Sequence, residues 1–122
     1  MTPEETLIQQ YFDAFNSHDI EGVMACFHDS APIIDSQGRQ IEGKDEVRRS
    51  YETSFALFPD GRCDLRTLTG HDGHPVAESF FHGTRPREGE VVEALGAEIA
   101  DIVEGKIKEL RDYHRPVTPK AA

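Results

Sequence analysis

The chain has 122 residues, a formal net charge of −10, and hydrophobic and charged fractions of 37% and 30%. That length fits one domain with a real core, and so acidic a surface repels DNA and anionic membranes, which disfavours nucleic-acid and lipid-headgroup partners. No apolar run nears the ~18 residues of a membrane span, and MTPEETLIQQ lacks the basic start and apolar core of a signal peptide, so a cytoplasmic location is the expectation.

Thr2, Pro3 and Glu5 read as a helix start with a capping box. Leu7, Ile8, Tyr11, Phe12 and Phe15 follow at helical spacing, one apolar stripe of a helix ending near Ser17. Asp19 caps a second short helix carrying Ile20, Val23, Met24 and Phe27. Pro32–Asp35 reads as a short strand, Ser36–Arg39 as a turn, and Gln40–Glu42 as the returning strand. Gly43 opens a third helix whose inner face is Val47, Tyr51, Ser54, Phe55 and Phe58, and Pro59-Asp-Gly61 stops it.

The period then changes. Cys63–Thr69, Val76–His82, Val91–Ile102 and Lys106–His114 read as four strands, separated by Gly70–Gly73, by Gly83–Gly89 and by Glu104-Gly105. Helices and strands segregate along the chain, which argues α+β: three N-terminal helices packed on a curved, mostly antiparallel mixed sheet, as a cone with a pocket at its open end. Residues 1–116 are expected to form the domain and 117–122 a frayed tail.

The cysteines and histidines carry little chemistry in their spacing. Cys26 and Cys63 lack metal-ligand spacing, and Cys26 reads as a buried free thiol. His18, His28, His71, His74, His82 and His114 fall on different elements with no HxH or HExxH pattern, and His71 and His74 read as solvated turn residues. No metal site is expected.

Asp35 is the odd residue of the first strand. As part of Asp-Ser-Gln-Gly it can be a turn acid bonded to its own backbone. If its strand face meets the pocket, it is a carboxylate among Ile33, Phe15, Phe55 and Phe58, and those apolar neighbours would raise its proton affinity. Tyr11 can likewise be plain core. Glu98 can be an exposed strand residue, although alternation puts it on the face of Ala100 and Ile102.

The element order, the stretch from Tyr11 to Asp35, the Gly43-Lys-Asp-Glu-Val helix opening and the closing Ile102-Val-Glu-Gly-Lys-Ile-Lys-Glu-Leu-Arg-Asp-Tyr resemble the nuclear-transport-factor-2-like superfamily. Within it the chain is similar to ketosteroid isomerases and SnoaL-like polyketide cyclases. The resemblance covers nearly the whole chain and implies the cone fold, a homodimer formed through the convex sheet face, and a small apolar ligand. For the isomerases it implies Tyr11 as donor to the substrate oxygen, Asp35 as the proton carrier, and Glu98 nearest the position of a third, protonated carboxyl. A carboxylic acid kept neutral by an apolar site is a ketosteroid isomerase pattern, taken from the family and not from these residues. For the cyclases the resemblance implies His82 or His114 as a second acid. The implied activity is cofactor-free proton transfer on a steroid, polyketide or terpenoid carbonyl compound, with a non-catalytic binder as the alternative. Phe15, Ile33, Tyr51, Phe55, Phe58, Phe80 and His82 are the expected substrate-contacting residues.

Overall fold

The computed structural model describes residues 1–70 and 72–117. His71, and residues 118–122 of the expected tail, lie outside the described residues. Val117 still donates its N–H to Glu93 O at 2.9 Å.

Helix α1 (Pro3–Asn16) starts as its sequence dictates: Thr2 Oγ1 accepts from Glu5 N, and Glu5 Oε1 accepts from Thr2 N. The same Thr2 hydroxyl donates to Gly70 O at 2.8 Å, which ties the helix start to a sheet turn. Helix α2 (Ile20–Met24) is capped by Asp19, whose Oδ1 accepts from Gly22 N. Helix α3 (Lys44–Leu57) follows Gly43, which has φ 91°, a left-handed conformation that favours glycine.

Six strands form one sheet: β1 (Ile33–Ile34), β2 (Gln40–Ile41), β3 (Arg62–Thr69), β4 (Val76–Arg85), β5 (Glu90–Val103) and β6 (Lys106–Pro116). Their order is β2-β1-β6-β5-β4-β3. Only the β1–β6 pairing is parallel. Register shifts at Leu65/Thr67 and Asp101/Ile102 add local bend to the long strands, as bulges do. The sheet is curved and does not close.

Two differences from the sequence reading bear on the cavity. Asp35 is outside β1, at the start of the turn. The expected loop at 83–89 shrinks to a four-residue turn at 86–89, because β4 runs on to Arg85 and β5 resumes at Glu90. Gly83 reads as a breaker, yet it pairs with Val92. Its missing side chain makes room for Phe58, whose Cδ1 a Cβ there would meet at 2.9 Å.

The inner face of the sheet and the helices share one core. Ile8 and Phe12 of α1, Val23 of α2, Val47 of α3, and Ile107 and Leu110 of β6 are all buried. Each such large apolar side chain contributes roughly 1.5–3 kcal/mol on full burial. Phe27 bridges to Ile107, with Ile107 N bonded to Cys26 O at 2.8 Å, which fixes the chain after α2 to β6. At the other end, Asn16 clamps edge strand β3. Its amide donates to Cys63 O at 2.9 Å and accepts from Cys63 N at 2.7 Å. Asn16→Ala strands both backbone groups and is expected to cost about 1–3 kcal/mol, read from urea unfolding monitored by circular dichroism.

Candidate active site

A cavity of about 650 Å³ lies between α1, α3 and the inner sheet face. Its wall is apolar where Phe15, Ile33, Phe58, Phe81 and Val92 face it, and its polar groups come from few positions.

Alternation on β5 and β6 sets the polar end. On β5 the inward residues are Ala94, Gly96, Glu98 and Ala100; on β6 they are Leu110, Asp112 and His114. Glu98 is only 5% exposed. Ser79 Oγ donates to its Oε2 at 2.7 Å, and His114 Nε2 stands 3.7 Å from the same oxygen. Glu98 Oε1 is buried with no hydrogen-bond partner. On the far side of the ring, His114 Nδ1 is 2.8 Å from Asp112 Oδ1. Both atoms lack a well-aligned hydrogen bond, so this contact is an ion pair set off the N–H direction.

Gly96 makes the cluster sterically feasible. A Cβ there would sit 2.6 Å from Ser79 Oγ, 2.8 Å from His114 Nε2 and 3.0 Å from Glu98 Oε2.

Burial, reinforced by the nearby Asp112 charge, pushes the Glu98 carboxyl up to about 7 against the pull of Ser79 and His114. Burial alone would lower the His114 imidazole. Asp112, Cys63 and Glu98 outweigh it and push it up to about 10. At neutral pH the cluster therefore holds an imidazolium at His114, next to a Glu98 that is shared between its two protonation states.

Tyr11 and Tyr51 meet in the same cavity, their hydroxyls 2.7 Å apart. They are 5% and 7% exposed. Burial raises both phenols, and the Glu98 and Asp112 charges raise them further. Both stay neutral, so one hydroxyl donates to the other and one O–H remains for a ligand oxygen. A chained donor of this kind is polarised by its neighbour.

Asp35 also lines the cavity, and here the structure corrects the expected raised proton affinity. Burial does push its carboxyl upward, but donors overwhelm it: the N–H groups of Arg39 and Gln37, and the Arg39 guanidinium at 3.0 Å, hold it below the usual carboxylate range. Its geometry is the turn acid's.

Four of the other expected contact residues, Phe15, Ile33, Tyr51 and Phe58, line the cavity. Phe55 instead stands behind the wall, edge-on to Phe15 and stacked on His18 at 4.5 Å. Phe80 and His82 point from the opposite face of β4. Arg66 lies over the Phe80 ring, and His82 is 3.6 Å from Asp64. The inward residues of β4 are Ser79, Phe81, Gly83 and Arg85, so the parity of the expected pair was one residue off.

Ser79, Asp112 and Arg85 went unread in the sequence, and Cys63 was read only as lacking metal-ligand spacing. The alternation Leu110-x-Asp112-x-His114 was the available signal for Asp112.

Cys63, Glu98 and His114 offer donor atoms within 4.8 Å of one another, the one such set among the described residues. A metal ion would have to displace the proton that His114 holds to about 10, and burial pushes the Cys63 thiol up as well.

The chain matches the SnoaL-like domain over residues 8–110. No curated protein matches it in sequence. Among solved structures, a provisionally assigned polyketide cyclase from Xanthomonas campestris pv. campestris superposes with TM-score 0.85 at 19% identity, over 93% of this chain and 90% of that one. A provisional ketosteroid isomerase from Kribbella flavida gives 0.78 at 16% identity, over 98% and 83%. A protein with a ketosteroid isomerase-like fold from Catenulispora acidiphila, in complex with trimethylamine, gives 0.80 at 12% identity, over 88% and 83%. At such identities these likenesses show the fold.

Both raised groups set the direction of pH dependence. The folded chain holds these protons more tightly than the unfolded chain, so their stabilisation is complete at low pH. It is lost as pH rises from about 4.5 to about 7 through Glu98, and from about 6.5 to about 10 through His114. Glu98→Gln removes the first loss. Its unfolding free energy relative to wild type is expected to rise steadily between pH 5 and pH 8 in urea titrations. Gly96→Ala is expected to lower the melting temperature at every pH, because the clash does not titrate.

Proposed function

We propose that this chain, which belongs to the SnoaL-like domain family, is an enzyme that moves a proton beside the carbonyl of a small apolar compound. The substrate is of steroid, polyketide or terpenoid type, and the reaction an isomerisation or an aldol-type cyclisation. The reading is carried by one observation: a neutral Tyr11–Tyr51 donor pair and a buried carboxyl held near 7 face the same cavity.

The chemistry follows from that pairing. A carbonyl oxygen placed at the tyrosine pair accepts the free O–H. Ionised Glu98 removes the proton from the carbon next to the carbonyl, and negative charge develops on the oxygen. The tyrosines stabilise that oxyanion without ionising. Glu98, now neutral, returns the proton to another carbon of the conjugated system. In a cyclisation the new carbon–carbon bond forms first, and the proton goes to the alkoxide. A group near 7 suits both halves of the cycle, because neither protonation state is costly at neutral pH. Such a proton shift needs no redox or group-carrying cofactor. His114 and Asp112 act as positioning residues, the imidazolium drawing the carboxyl down from where burial alone would leave it.

Asp35 keeps a different role in this proposal. Its lone pairs are committed to the turn and to Arg39, so it shapes the cavity rim. A second copy of the chain is the proposed partner on the outer sheet face, where Val91, Leu95 and Tyr113 are exposed.

The test is conversion of a β,γ-unsaturated ketone to its conjugated isomer, followed by absorbance. Glu98→Gln is expected to lower kcat/KM by roughly 10²–10⁴, and Tyr11→Phe by roughly 10²–10³. Asp35→Asn is expected to stay within about threefold, since its group takes no proton in the cycle. The wild-type rate should rise with pH through a midpoint near 7. Collapse on Asp35→Asn with Glu98→Gln intact moves the base to Asp35. A ligand bound tightly and returned unchanged makes the chain a binding module.

A further inference from the structure

Arg39, Arg49 and Arg85 line the cavity. Arg39 is paired with Asp35 at 3.0 Å, and Arg49 with Glu46 at 2.6 Å. At the polar end, His114 has Asp112. Arg85 has no carboxylate partner among the described residues, and its Nε is buried without a hydrogen bond. It lies against the Phe58 ring, whose centroid is 5.7 Å from the guanidinium carbon. In a chain with 23 acids against 13 basic residues, a cation left unpaired on a cavity wall needs an explanation.

Its position is fixed by the sheet. Arg85 shares the inward face of β4 with Ser79, Phe81 and Gly83, and its backbone is in register with that of Glu90 at the far end of the ladder. Six residues, roughly 20 Å of strand, separate it from Ser79 beside Glu98. The cavity thus has a proton-handling end and a cationic end, with Phe58, Phe81 and Val92 between them. The Phe58 ring steadies the guanidinium without using its hydrogen-bond donors.

We propose that Arg85 is the anchor for a carboxylate on the ligand, so that the cavity takes an apolar compound bearing an acid group at the end remote from the reacting carbonyl. A guanidinium offers two parallel N–H donors that match a carboxylate, and the cation–π contact leaves them free. A neutral ligand would leave the cation unpaired after water is displaced, which selects against neutral steroids and esters. The inference rests on the cavity described above and extends the proposed function by naming the substrate's charge.

The test is binding alone, so its failure is separate from failure of the proton-transfer reading. The probes are matched pairs, 4-phenylbutanoate with 4-phenylbutanamide and 6-phenylhexanoate with 6-phenylhexanamide, titrated at pH 8 by calorimetry and by ligand-observed NMR. Wild type is expected to bind at least one acid about tenfold or more tighter than its amide, with the preference shrinking as salt is added. In Arg85→Gln the acid should weaken about tenfold or more while the amide stays within about twofold. Arg85→Lys should restore part of the preference, as a point charge without the fork. Unchanged circular dichroism and melting temperature show that the variants fold. Equal affinity for acid and amide in wild type, absence of binding to both included, overturns the proposal. So does a preference that survives in Arg85→Gln.

Discussion

The arrangement depends on burying one carboxyl. Glu98 stands 5% exposed on an inward strand face, where an ionised acid without partners would be costly. Its surroundings meet that cost only in part. Ser79 bonds one oxygen, His114 supplies positive charge at 3.7 Å, and the other oxygen is left without a bond. Asp112 keeps the imidazole charged but repels the carboxylate. The result is an acid held midway between its two forms. Gly96 is the steric condition for this, since any side chain there would occupy the space where three polar groups converge.

The helices serve the same constraint from the other side. Tyr11 is on the apolar stripe of α1 and Tyr51 on that of α3, both in the core cluster with Phe12, Phe27 and Val47. Their rings pack edge-on, with centroids 6.0 Å apart, and this aims the two hydroxyls at each other. The tyrosines are therefore core residues whose paired hydroxyls also reach the cavity. Phe55 adds a layer behind them, holding Phe15 and Tyr51 by ring contacts.

The elements were legible because each carries local signals: Thr2 and Asp19 as caps, glycine at the turns, and a change from helical to alternating period after Gly61. For Glu98 strand alternation from Ala100 and Ile102 pointed inward, but an exposed position stayed open in the sequence, and the folded strand puts it at 5% exposure. Asp35 was misread in its electrostatics. Apolar neighbours were visible in the sequence, but the N–H groups of Gln37 and Arg39 that converge on it are a turn geometry that only the folded backbone displays. Phe80 and His82 failed on parity, because nothing in Ser79-Phe80-Phe81-His82 says which aromatic ring faces the helices. Arg85 was hidden by Gly83, which reads as the end of a strand and is instead the place where Phe58 packs against one.

The clamp by Asn16 on β3 has a consequence for the isolated sheet. β3 is an edge, and an edge presents free backbone groups to any extended chain that meets it. At Cys63 both groups are already taken by the Asn16 amide, which stands in for the next strand over one residue. The opposite edge, β2, is only two residues long. Past Cys63 the β3 edge is broken again by the register shift at Leu65/Thr67, so neither border offers a long uninterrupted template to an added strand.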